Sequence, residues 1–221
     1  MTYPTMAGRS TDAYTTQDLV LSTMDLITQD VTVLSGQNLL QNTVVGRVTI
    51  GAGTGAKISG TGDGTIGAVT LGVDAMVGVY KLTGKTEAAN GGTFQVEDPQ
   101  GNLLPDLTVA VAYTGDHINL TVADGAADWD IGDIIHVTVA AGSGKIKKSV
   151  TTATDGSDVP VGILCNAVDA TSSDLAGTMY IGGDFNQEAL VWDASYSTDL
   201  MKQTCFDRTN IVVRKATYSV G

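Results

Sequence analysis

Thr93-Phe-Gln-Val-Glu-Asp-Pro-Gln-Gly101 is the stretch on which the fold turns. Phe94 and Val96 alternate with polar neighbours, the period-2 pattern of a half-buried strand. Asp98-Pro-Gln-Gly101 follows with Pro at the second and Gly at the fourth turn position, the preference of a type I turn. Working outward, Asn90-Gly91-Gly92 is hairpin-turn chemistry that ties this strand to a preceding one over 75–83. Downstream, strands are expected over 108–113, 117–122 and 134–140. Turns at 114–116 and an Asp/Gly loop over 123–132 separate them. Strands at this spacing predict a β-sandwich-like module.

Glycine brackets this module. Gly51, Gly53, Gly55, Gly60, Gly62, Gly64 and Gly67 precede it, and Gly142-Ser-Gly144 follows. Glycine at that density reads as joints, because it costs strand stability and favours bends. Two joints predict an insertion, residues 58–144, in a loop of a parent domain. Charge divides the same way: of a net −12, the insert holds 11 acidic and 2 basic side chains, while the flanks are near neutral. The parent is expected over 31–57 and 145–221. Its strands are read at 31–33, 43–50, 145–151, 159–168, 178–182 and 210–215. Ser197 and Thr198 would cap a short helix from Asp199 to about Arg208. Residues 1–30 read as an extended N-terminal arm, polar and without a core of its own, with Leu19, Leu21, Leu26 and Ile27 as apolar anchors. The chain is therefore expected to be mainly β with short helices.

The 221 residues contain no apolar run of membrane-spanning length and no signal-peptide pattern. Lys145, Lys147 and Lys148 are the only basic cluster, so direct nucleic-acid binding is not expected. Cys165 and Cys205 read as reduced thiols. Gly62-Asp-Gly-Thr-Ile-Gly67 matches a dinucleotide fingerprint but runs into a strand pattern, where the fingerprint needs a helix. His117 and His136 have no second ligand at zinc spacing. Asp124, Asp128, Asp130 and Asp133 lack the calcium-loop spacing. No nucleophile motif is present. No catalysis and no cofactor are expected.

Three further stretches carry a resemblance. Ser35-Gly-Gln-Asn-Leu-Leu-Gln-Asn-Thr-Val-Val-Gly46, Asp155-Gly-Ser-Asp-Val-Pro-Val-Gly-Ile-Leu164, and Val168-Asp-Ala170 followed by Gly182-Gly-Asp-Phe-Asn-Gln-Glu-Ala-Leu190 resemble, in order, segments of the phage head decoration proteins of the lambda protein D family. The sequence departs at Ile181-Gly182, where the family often has an Arg, and in its large insert. The resemblance implies a non-enzymatic cement protein, a homotrimer bound to the major capsid protein on the outer surface of the virion and made in the host cytoplasm. It places capsid or trimer contacts at Phe185, Asn186, Leu190 and Trp192, alongside the arm anchors. The alternative is a surface adhesion or carbohydrate-binding β protein. In that reading a host glycan meets the insert at Asp128, Trp129 and Asp130, with Trp129 as an exposed platform.

Overall fold

The computed structural model describes residues 19–22 and 26–216. The reading of residues 1–18 as part of an arm lies outside them. Strands dominate: the described residues form a six-stranded and a five-stranded sheet, each with a two-stranded ribbon beside it, packed on three apolar clusters.

The first sheet is built from β1 (Ile27–Val33), β3 (Val44–Arg47), β11 (Ile146–Lys148), β12 (Pro160–Leu164), β14 (Leu175–Asn186) and β15 (Asn210–Arg214). Its order is β1-β11-β3-β12-β14-β15, and β1 also pairs with β14, so the first five strands close into a ring. Closure depends on the length of β14. Its twelve residues reach about 40 Å, enough to pair with β12 at Met179 and Tyr180, with β1 from Leu175 to Gly182, and with β15 from Gly182 to Asn186. A short ribbon of β2 (Gln37–Leu39) and β13 (Val168–Ala170) lies beside the ring. The ring encloses Val33, Val45, Ile146, Leu164 and Met179. A second cluster, Val44, Ile163, Phe185, Leu190, Phe206, Ile211 and Val213, packs at the β14–β15 end. The apolar run over 159–168 supplies β12, whose Gly162, Ile163 and Leu164 are all buried. Among the described residues the one α-helix is α1 (Asp199–Thr204), capped by Thr198, which accepts from the Met201 N–H. The helix stops four residues short of the expected Arg208.

The second sheet is antiparallel, in the order β4 (Ile50–Ser59), β10 (Ile134–Ala141), β6 (Gly78–Thr86), β7 (Thr93–Glu97), β8 (Leu103–Thr108). A ribbon of β5 (Thr70–Leu71) and β9 (Ile118–Asn119), extended by the Ile66–Val122 and Tyr113–Leu120 bridges, forms the opposing layer. Between them lies a core of Tyr80, Leu82, Phe94, Val96, Ile118, Trp129 and Val137. The Asp98 turn forms as read: the Gly101 N–H donates to the Asp98 carbonyl, and the Asp98 carboxylate accepts from the N–H groups of Gln100 and Asn102.

Three expectations need correction. Residues 51–55 form strand, not a joint: β4 pairs with β10 along its length. Its glycines fall on one face, where the 66–71 segment crosses so closely that a Cβ on Gly53 would sit 2.5 Å from Val69. There glycine admits a close backbone approach rather than a bend. Strand β8 ends at Thr108, and 109–112 turns away instead of continuing to Tyr113. Strand β1 starts at Ile27, inside the stretch read as arm, because β14 offers a pairing edge that the sequence around residue 27 does not reveal.

Two chain crossings join the sheets. The Gly142 and Gly144 N–H groups donate to the Thr49 and Val48 carbonyls, and the Thr49 and Ile50 N–H groups donate to the Asp155 carbonyl. They leave the ring from β3 and β11, the two strands that do not touch β14.

Candidate functional site

The far end of β14 gathers both ends of the described chain. The Asn186 N–H donates to the Leu19 carbonyl and the Leu21 N–H to the Asp184 carbonyl, both at 2.9 Å, so 19–21 lies antiparallel on one edge of β14. On the other edge β15 runs parallel, with Arg214 opposite Asn186. Residues 19–21 and 27–33 therefore both pair with β14.

Glycines set how closely it lies. Gly183 has φ +140°, and a Cβ there would come within 2.7 Å of Leu26 and 2.9 Å of the Phe185 ring. At Gly182 the nearest neighbour would be Ile27, at 3.2 Å. Leu26 and Ile27 rest on this bare backbone and keep their outer surfaces exposed.

Polar pairing organises the surroundings. The Asp184 carboxylate, only 4% exposed, accepts from both Nε and Nη2 of Arg214, the fork geometry of a strong ion pair. The buried Gln187 side chain donates to Asp199 at 2.6 Å and accepts from Gln203 at 3.2 Å, while its carbonyl accepts from Trp192 Nε1 at 2.9 Å. Lys215 spans Glu188 and Asp199 at 3.2 and 3.7 Å. The bond to Glu188, with the charge of Asp199 behind it, raises the Lys215 ammonium above its ordinary value. Trp192 is half-buried, 5.3 Å from the Tyr196 ring, with the Lys202 ammonium 5.9 Å above it.

The expected contact residues divide into two groups. Leu26 and Ile27 are exposed, and Leu19, Leu21 and Trp192 are half-buried. Phe185, Asn186 and Leu190 are buried within the chain itself. Phe185 and Leu190 belong to the second core cluster, and Asn186 caps the 3-10 turn Gln187–Ala189 by accepting from the Glu188 N–H. These three shape the surface without presenting side chains on it. The Asp184–Arg214 pair and Gln187 escaped sequence reasoning, since no local pattern marks a partner 30 residues away.

The loop at Asp128, Trp129 and Asp130 is also corrected. Trp129 is 2% exposed, stands edge-on to Phe94 at 5.4 Å, and donates Nε1–H to the Ala123 carbonyl. An indole so placed is core and offers no platform. Asp128 and Asp130 are exposed, and Asp128 accepts from the Asn90 N–H. A hydrogen bond from Glu87 to Asp130, and the like charge behind it, raise the Glu87 carboxyl above its usual range. Among the described residues no group of His, Cys, Asp or Glu is placed to hold a metal ion, and no helix is long and apolar enough to cross a membrane.

A closed β ring, a second sheet whose strands fall between β3 and β11 in the chain, and a strand flanked by residues 19–21 and β15 make this a mainly-β protein. The chain belongs to the family of the bacteriophage lambda head decoration protein D, whose model matches residues 9–212. That family is structural rather than enzymatic, and it locates the chain on the phage capsid. Two crystal structures of Xanthomonas campestris FlgL, in space groups H3 and C2, are similar at 16% identity and a TM-score of 0.31. Each match covers 48% of this chain and 34% or 33% of that one, so the chain spans about a third of their length. That likeness is too slight to bear on fold or function. No curated protein matches the chain.

Proposed function

We propose that the protein is a cement protein, a homotrimer that binds the outer surface of a phage head and holds neighbouring major capsid subunits together. Made in the host cytoplasm, it would attach once the head lattice offers its sites. The far end of β14 is the proposed contact region, and the second module stands across the ring from it. The observation that carries this reading is the convergence of Leu19 and Arg214 on Asn186. Leu19 is held at this end, where Leu26 and Ile27 are exposed, and the sequence before Leu19 is read from its composition as part of an extended arm. An arm there can add strands to a capsid subunit through main-chain hydrogen bonds, and three arms on one trimer add avidity.

Binding only to the assembled lattice stabilises that lattice by the binding free energy at every site. Heads stripped of the protein should therefore release DNA at a lower temperature, and adding the full chain back should restore the original value. A chain lacking residues 1–18 should fold but fail to restore it. Equal release temperatures for stripped and decorated heads would overturn the cement role.

A further inference from the structure

We infer that a pocket at the tip of the second module, lined by Asp74, Tyr113, Asp116 and His117, is a binding site for a single sugar ring. It goes beyond the capsid reading and does not depend on it. The pocket measures about 200 Å³ and is completed by Pro105 and Leu104. That is below the roughly 300–1,000 Å³ of sites for drug-sized ligands, and suits one small polyol.

The lining is built and held. The Asp74 N–H donates to the Asp116 carbonyl at 2.7 Å, and the Gly72 N–H donates to the His117 carbonyl at 2.9 Å, locking two loops side by side. Gly72 allows this approach, because a Cβ there would collide with the Asp116 backbone. Tyr113 is fixed by a reciprocal backbone pair with Leu120. The polar groups of this lining are unspent. Neither carboxylate, nor the Tyr113 hydroxyl, has a hydrogen-bond partner among the described residues.

His117 is held by its neighbour. The Tyr80 hydroxyl accepts from the Met76 N–H and lies 3.3 Å from His117 Nδ1, so that nitrogen is engaged within the chain. Nε2 is the imidazole nitrogen left for a ligand, as donor or acceptor according to the tautomer. Two carboxylate acceptors, one imidazole nitrogen, one hydroxyl and the apolar faces of Tyr113 and Pro105 are the complement of a sugar, with its ring of hydroxyls and its C–H face. A cation fits the same residues poorly. Among the described residues no three of His, Cys, Asp or Glu converge closely enough for a metal ion.

The test uses the full chain, titrated with millimolar glucose, galactose, mannose, rhamnose and N-acetylglucosamine, and with calcium chloride alone, while backbone amide resonances are followed. At least one sugar should shift the amides of Asp74, Tyr113, Asp116 and His117. Asp116→Asn, at an exposed carboxylate without protein partners, should weaken that sugar about tenfold, the value of a hydrogen bond to a charged group. Tyr113→Ala should also weaken it, with the remaining resonances unmoved. The inference is overturned if no sugar shifts these amides, if both variants bind as the parent does, or if calcium alone perturbs the site.

Discussion

Leu26 lies over Gly183: a Cβ at residue 183 would come within 2.7 Å of the leucine side chain. The glycine near the far end of β14 is thus what lets Leu26 rest against the strand's backbone. Gly183→Ala meets two obstacles, the contact with Leu26 and Phe185 and a φ of +140° that alanine rarely adopts. It should cost about 1–3 kcal/mol in urea unfolding. Amide exchange at Leu21 and Asn186 should speed up more than at Val137 in the second sheet. Uniform acceleration across both sheets would contradict this account.

Arg214 is the second determinant of that end. Removing it leaves the Asp184 carboxylate buried without its counter-charge. Arg214→Met should destabilise by about 1–3 kcal/mol, and Asp184→Asn introduced into Arg214→Met should recover part of the loss. Chemical denaturation of the two single variants and the double variant measures the coupling. Strictly additive losses would mean that the pair is not coupled.

Acid should weaken the second module through Asp133. Burial alone would raise its carboxyl, but the N–H groups of Asp130, Gly62 and Thr61 and the charge of Lys57 outweigh that and hold it below the usual range. A carboxyl lowered on folding contributes its stability above the unfolded value, near 3.9, and loses it as pH falls through the folded one. Melting followed by Trp129 fluorescence should decline below about pH 4. Asp133→Asn should be less stable at neutral pH and should flatten that decline. An unchanged pH profile in the variant would assign the acid sensitivity elsewhere.

The two crossings predict where the second module can be removed. The Thr49 carbonyl accepts from the Gly142 N–H at 2.9 Å, so a two-residue Asn-Gly turn can close the gap. A chain joining Thr49 to Gly142 this way should remain folded, with Met179 and Phe185 still packed, and should still bind heads. Loss of binding by this variant while it stays folded would show that the second module takes part in the capsid contact.

Much of the architecture was legible in the chain because it is encoded locally. The Asp98–Gly101 turn, the Thr198 cap and the β12 core run each depend on residues within about ten positions, and each formed. The three motifs resembling the decoration family were equally local, and they pointed to the same family that matches residues 9–212. Other features were decided only by residues distant in sequence. Trp129 looked like an exposed aromatic in an acidic loop, yet it is buried against Phe94, with Ala123 accepting its N–H. Gly53 and Gly55 looked like a joint, yet the crossing of 66–71 makes them a strand. The pairing of Leu19 with Asn186 spans most of the chain. Periodicity and turn chemistry report what a residue does with its near neighbours. Which backbone lies against a glycine, and which ring fills a core, is fixed only when loop closure brings remote strands together.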